Sequence, residues 1–331
     1  MKGVLLLLLV MMCCTSCSAL PAEERAFAVA IYVEKEGEQW RVMGRIPTYH
    51  SEGGYMTVTG QGRSLNAALA AMETSSPMTV QLSQLRLLVL NTSLGRTSDL
   101  AGALSELSQR ADMRLPCAVA ATQLPGEVLM AALEPTAGKR LSKAIDLLLE
   151  SRAEQGGILL MTLADVVRMG ERQTPVLIGL TVEENTISLS GGWPLNQQGQ
   201  LTAFLSGEET ALLSLLTGKA GDLQLSISQG DARVRDVSSH VSLSENMAAA
   251  RVEVTMTATD ATMTTGTLAE RLAEEGRMLL GRLSAAGCDV LGLGRKAIPY
   301  AHDMAQWHAL NWPERYRRIR WEVAVGVNPP A

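Results

Sequence analysis

Aromatic residues make up only 4% of this 331-residue sequence, with five Trp, five Tyr and two Phe spread along its length. An aromatic-lined ligand cleft is not indicated, and the cores must be filled by Leu, Val, Ile, Met and Ala. Histidine is scarcer: there are four, His50, His240, His302 and His308, none in an HxxxH, HxH or HExxH arrangement. The usual metal-ligand spacings are therefore missing. There is no GxSxG elbow, no GxxxxGK(S/T) loop and no complete GxGxxG. Gly292-Leu-Gly-Arg-Lys296 keeps a phosphate-loop character for three residues, but it follows a helix instead of a strand and reads as a turn. A net charge of −5 gives no global attraction to nucleic acid. The sequence also lacks internal repeats, low-complexity segments and any apolar run of the about 20 residues that cross a bilayer. No catalytic constellation, metal site or cofactor is expected from these residues.

What is present fits a globular body behind an export signal. Hydrophobic residues make up 47% and charged residues 19%, and 331 residues exceed what one core usually organises, so two or more domains are expected. Lys2 precedes an apolar run from Val4 to Met12, the pattern of a secretory signal peptide. Cys14-Thr15-Ser16-Cys17 follows at once and resembles a bacterial lipobox, with Cys14 where a Leu is usual. Residues 1–17 are read as signal peptide and lipobox. Cys17 is the expected lipidation site, carrying palmitate-length acyl chains and holding the body at a membrane. Three of the five cysteines lie in this leader, which leaves Cys117 and Cys288 in the body. Cys117 reads as a core-facing strand residue and Cys288 follows a helix end at Gly287. Spacing alone leaves open whether the two form a disulfide.

Along the body, Ala26–Val33 and Trp40–Ile46 read as a hairpin turned by Glu34–Glu38. A Gly-rich loop (Gly53, Gly54, Gly60, Gly62) comes next. Ser64 is expected to cap a helix over Leu65–Met72. Strands are expected at Leu85–Leu90 and Ala118–Ala121, with helices from Thr97 or Ser98 to Arg110, over Lys139–Ala153 and over Leu163–Arg172. After Thr174-Pro175 come strands Val176–Val182 and Thr186–Ser190, a break at Gly191-Gly-Trp-Pro194, a resumed strand Leu201–Leu205, and a helix Glu208–Thr217 closed by Gly218. Leu223 to Asp260 alternates as three antiparallel strands. Thr264 or Thr265 opens a long helix to Ala286, and a last strand spans about Ile319–Val327. The expected fold is α+β: a mixed α/β domain over 18–190, then a domain over 191–331 in which an antiparallel sheet packs with a long helix.

Arg315-Tyr-Arg-Arg-Ile-Arg-Trp321 is the one strong charge run. Ile319, Trp321, Val323, Val325 and Val327 share one strand face while Arg318, Arg320 and Glu322 share the other, so it reads as a half-buried strand with a basic solvent face. Asp289, Gly292, Gly294, Trp307 and Trp312, behind a lipobox and a long helix and before a Val-rich closing strand, resemble the C-terminal pattern of the C-subunit lipoproteins of spore germinant receptors, with Val290 in place of that family's proline. The resemblance implies a non-enzymatic lipoprotein acting in spore germination, in a complex with integral membrane subunits, at the extracytoplasmic face of the spore inner membrane. The alternative is a lipid-anchored extracytoplasmic solute-binding protein. The five matching residues serve either as a partner contact or as the C-terminal core. A five-residue spacing does not stack Trp307 and Trp312 on one helical face, which leaves room for one partly exposed partner anchor. Burial of both in the C-terminal core beneath the Arg318–Val327 strand is the reading preferred for Trp.

Overall fold

The computed structural model describes residues 24–48, 54–97, 99–134, 140–169, 172–227, 230–301 and 303–329. The leader with Cys17, as well as His50, Ser98 and His302, lies outside the described residues.

The N-terminal half is built on a seven-stranded sheet. β1 (Arg25–Phe27) stands apart from it and pairs in parallel with β5 (Thr79–Gln81). β2 (Ala30–Glu36) and β3 (Gln39–Pro47) form the expected hairpin, turned where Gly37 takes a φ of +58°. β4 (Tyr55–Gly62) adds to β3 where the sequence reads as a Gly-rich loop. Gly60 and Gly62 serve a close approach: α1 (Leu65–Thr74) lies on β4, and a Cβ at Gly60 would sit 2.1 Å from the carbonyl oxygen of Ala68, while Gly53 lies outside the described residues. Ser64 caps α1, its hydroxyl accepting from the Ala67 N–H at 3.2 Å.

β6 (Leu87–Asn91), α2 (Asp99–Ser108), β7 (Ala118–Thr122), α3 (Gly126–Ala132), α4 (Leu141–Glu154), α5 (Leu163–Arg168), β8 (Val176–Glu183) and β9 (Thr186–Pro194) complete this half. The strand order is β4-β3-β2-β6-β7-β8-β9, with β2, β6, β7 and β8 parallel. Period-2 alternation puts Ile31, Val33, Leu88 and Leu90 under α1, α2 and α5, while Ala30, Tyr32, Leu87 and Val89 face α3 and α4. The β8–β9 turn uses Glu184 (φ 48°) and Asn185 (φ 63°), the left-handed pair that fits a tight hairpin. The break expected at Gly191–Pro194 is instead the second half of β9. Gly191 (φ +73°) and a register shift between Ile178 and Leu180 form a bulge that bends the strand without ending it. The expected boundary at 190/191 falls inside this strand. In place of a strand over Leu201–Leu205 there are two isolated bridges, Leu195 with Leu201 and Gly192 with Leu205.

The C-terminal half opens with α6 (Gly207–Leu216), fixed by a capping box in which Ser206 and Glu209 satisfy each other's backbone N–H. β10 (Leu223–Ile227), β11 (Gly230–Leu243) and β12 (Ala249–Ala261) run antiparallel, as their alternation implies. α7 (Thr265–Ala285), capped by Thr264, buries Leu268, Leu272, Leu279 and Leu283 against that sheet. α8 (Leu293–Ala297), α9 (Met304–Leu310) and α10 (Trp312–Arg317) lead to β13 (Arg320–Asn328). β13 pairs with β12 in parallel, so the sheet is antiparallel only in its first three strands. The long helical return from β12 forms the crossover that a parallel pair requires. Leu159, Val176 and Leu205 belong to the same apolar cluster as α6, α7 and the C-terminal sheet, so the two halves share a core.

Candidate functional site

α7 ends at a turn in which Gly287 takes a φ of +77° and the Cys288 N–H bonds the Leu283 carbonyl at 2.9 Å. This left-handed exit aims the next residues at the N-terminal half. Gly292 (φ +69°) makes a second left-handed step and opens α8, which replaces the turn expected over Gly292–Lys296. Asp289 lies between the two steps, fully buried. Its Oδ1 accepts the Leu293 N–H at 2.8 Å, and its Oδ2 accepts the Gly294 N–H at 2.7 Å and the Trp312 indole N–H at 3.3 Å. Burial pushes the carboxyl up to about 6, against the pull of those donors.

The same turn joins the halves. The Asp289 carbonyl accepts the Thr174 N–H at 2.9 Å, and the Gly287 carbonyl accepts the Gln197 N–H at 3.1 Å. Gln173 donates through Nε2 to the Val290 carbonyl at 3.3 Å. Gly294 allows the closest approach: a Cβ there would lie 2.7 Å from Arg172 Cα and 2.8 Å from Trp312 Nε1.

Trp307 and Trp312 are both buried, at 6% and 1% exposure, so neither is the exposed anchor that their spacing left open. Helical spacing was the wrong frame because they sit on different helices. Asn311, at φ 46°, separates α9 from α10, and the rings stack with centroids 6.5 Å apart and planes 28° from parallel. The aromatic series continues through Tyr316, 6.0 Å from Trp312, to Trp321, which meets Tyr316 edge-on at 6.3 Å. Tyr316 donates its hydroxyl to the Cys288 carbonyl at 2.7 Å, and Trp321 donates to Ser284 Oγ at 3.1 Å. Thus Asp289, Gly292, Gly294, Trp307 and Trp312 are gathered in one place, a joint between the halves. Sequence reading missed Gln173, Thr174 and Tyr316 there. The only signal for Tyr316 is its place one helical turn after Trp312.

Little at the joint is reactive. Burial pushes the Cys288 thiol up to about 11 and the Cys117 thiol up to about 12, and both cysteines are free. A second polar cluster lies at the carboxyl ends of β2 and β6. Tyr32 donates to Glu34 at 2.7 Å, Asn91 donates to the Tyr32 oxygen at 2.7 Å, and Arg41 pairs with Glu34 and Glu127. Burial raises the Tyr32 hydroxyl far above its ordinary range. Among the described residues no group of three His, Cys, Asp or Glu side chains could hold a metal ion. The basic run, expected as one strand face, is split: Arg315 and Arg317 lie on α10, where Arg317 and the following Arg318 pair with Glu314 one helical turn back, and only Arg320 points outward from β13 opposite buried Trp321.

Outside the joint, Arg168, Arg172 and Arg295 line a surface groove of about 500 Å³ together with Gln173, Ile298 and Met304. Trp307 lines it too, its ring carrying the Arg172 guanidinium 5.4 Å from the centroid.

Residues 19–182 match the family described as the spore germination protein N-terminal domain. A crystal structure of the GerBC protein shares the fold, with a TM-score of 0.53 over 91% of this chain and 97% of that one at 12% identity. No curated protein matches the sequence significantly.

Proposed function

The chain belongs to the C-subunit family of spore germinant receptors, and from that footing we propose that it is a non-enzymatic receptor subunit, lipid-anchored through Cys17 at the extracytoplasmic face of the spore inner membrane. There it holds integral membrane subunits of the receptor in a working complex during nutrient germination. The observation that carries this reading is the extent of the family domain, which starts at residue 19, two residues after Cys17. A mature chain beginning at an acylated Cys17 would present that domain directly at the bilayer. No helix among the described residues is long and apolar enough to cross a membrane. Two acyl chains, at roughly 0.8 kcal/mol per buried methylene, suffice for stable anchoring. A non-catalytic role is supported by an Asp289 carboxyl taken up by the Leu293, Gly294 and Trp312 donors and by thiols that burial keeps protonated. The solute-binding alternative is not favoured, because the family and the GerBC-like fold together span most of the chain.

The test is Cys17→Ala in spores of the producing strain. The body should leave the membrane fraction or accumulate unprocessed, and nutrient germination through this receptor should fall with it. Retention of a processed variant on the membrane would refute anchoring at Cys17.

A further inference from the structure

The groove outside the joint combines two features that seldom share a surface by accident. Arg168, Arg172 and Arg295 are all exposed, and among the described residues none forms an ion pair. No carboxylate among the described residues lines the groove. Asp303, on the adjoining segment, directs its carboxylate to the Gln306 N–H at 2.8 Å as the cap of α9. Beside the arginines the chain exposes Ile298, Tyr300 and Met304, three large apolar side chains within seven residues, and Val167 is exposed next to Arg168. Guanidinium groups interleaved with protruding apolar side chains are the pattern of a surface that lies in a bilayer interface.

The leader sets which face can meet a membrane. With a lipid on Cys17, the seven residues to Glu24 reach at most about 25 Å, so the body cannot drift far from the bilayer. Ala26 in β1 and Val166 in α5 belong to one apolar layer on the same side of the seven-stranded sheet. The chain therefore enters on the same side of that sheet as α5, the helix that ends at Arg168.

We propose that the face formed by Arg168, Arg172, Arg295, Ile298 and Met304 is a second membrane contact, docking on anionic phospholipid and fixing the orientation of the tethered body. The proposal rests on the anchor reading for the tether alone, and its test supplies the tether chemically. Native methionines give the readout: Met304 is 57% exposed within this face, and Met278 is 59% exposed on α7, outside it, beside Glu208, Glu209, Glu275 and Arg282. The full chain is coupled through its leader cysteines to maleimide lipid in vesicles of phosphatidylcholine, with or without phosphatidylglycerol. Methionine oxidation is then followed by peptide mass spectrometry. On anionic vesicles Met304 should oxidise several-fold more slowly relative to Met278 than on neutral vesicles. The difference should vanish in high salt and in the Arg168→Gln, Arg172→Gln, Arg295→Gln triple variant. An unchanged ratio, or equal protection on neutral vesicles, overturns the proposal. Protection that appears only when receptor membrane subunits are reconstituted overturns it too, in favour of a protein partner. Failure of the anchor reading is seen separately, as an unacylated Cys17 in the mature chain.

Discussion

The buried carboxylate of Asp289 accepts the indole N–H of Trp312 at 3.3 Å, tying the turn after α7 to a helix 23 residues further on. Because the carbonyl of the same Asp289 also holds Thr174, one residue links the C-terminal aromatic core to the exit of the N-terminal half.

Trp312→Ala should destabilise the chain by about 3–5 kcal/mol, the usual loss for a buried Trp. Trp307→Ala should cost less, since its ring borders the groove and makes no comparable hydrogen bond in the joint. Urea unfolding of both variants checks the order. A Trp312→Ala protein with an unchanged midpoint would remove the aromatic core from the account.

Asp289 gives the joint a pH dependence. An unfolded aspartate titrates near ~3.9, whereas burial pushes this carboxyl up to about 6. Between those values the folded chain binds more protons than the unfolded one, so stability falls as pH rises. The contribution is complete below about 4 and lost above about 6, a difference of order 3 kcal/mol. In Asp289→Asn this slope should disappear. The amide should also turn a donor toward a backbone N–H, at a cost of about 1–3 kcal/mol. Unfolding midpoints from pH 4 to 7 decide it, and equal slopes in both proteins would contradict the assignment.

Gly294→Ala should strain the joint itself, because the added Cβ meets Arg172 backbone and the Trp312 ring nitrogen, both fixed. A loss of about 1–3 kcal/mol is expected from such overpacking. Limited proteolysis should cut faster near 172–174 than in the parent chain. Unaltered stability and cleavage would mean that the halves are not held at this point.

Cys117 and Cys288 should resist thiol reagents in the folded chain and react at once in denaturant, since burial holds both thiols protonated. Rapid native labelling of either would show that its core opens.

Much of the fold was legible wherever one local signal decided the structure. The Glu34–Glu38 turn, Ser64 and Gly218 marked a turn and two helix ends correctly, and alternation found β10, β11 and β12. The misreadings share a cause. The glycines of β4 serve contact with α1, and the bulge at Gly191 depends on its partner strand, so composition alone resembled a loop and a break. Trp307 and Trp312 were treated as one helix because nothing in their spacing announces the left-handed Asn311. The five signature residues were picked out together, yet their partners Gln173 and Thr174 precede Asp289 by more than a hundred positions. Only the closed fold brings those partners near.

The central claim is that this chain works as a receptor subunit at the membrane. Affinity purification of the tagged full chain from detergent-solubilised spore membranes tests it most directly. Integral membrane receptor subunits should co-purify in constant proportion with the wild-type chain, and much less with Cys17→Ala. A chain that purifies alone from those membranes, with Cys17 intact and acylated, would contradict it.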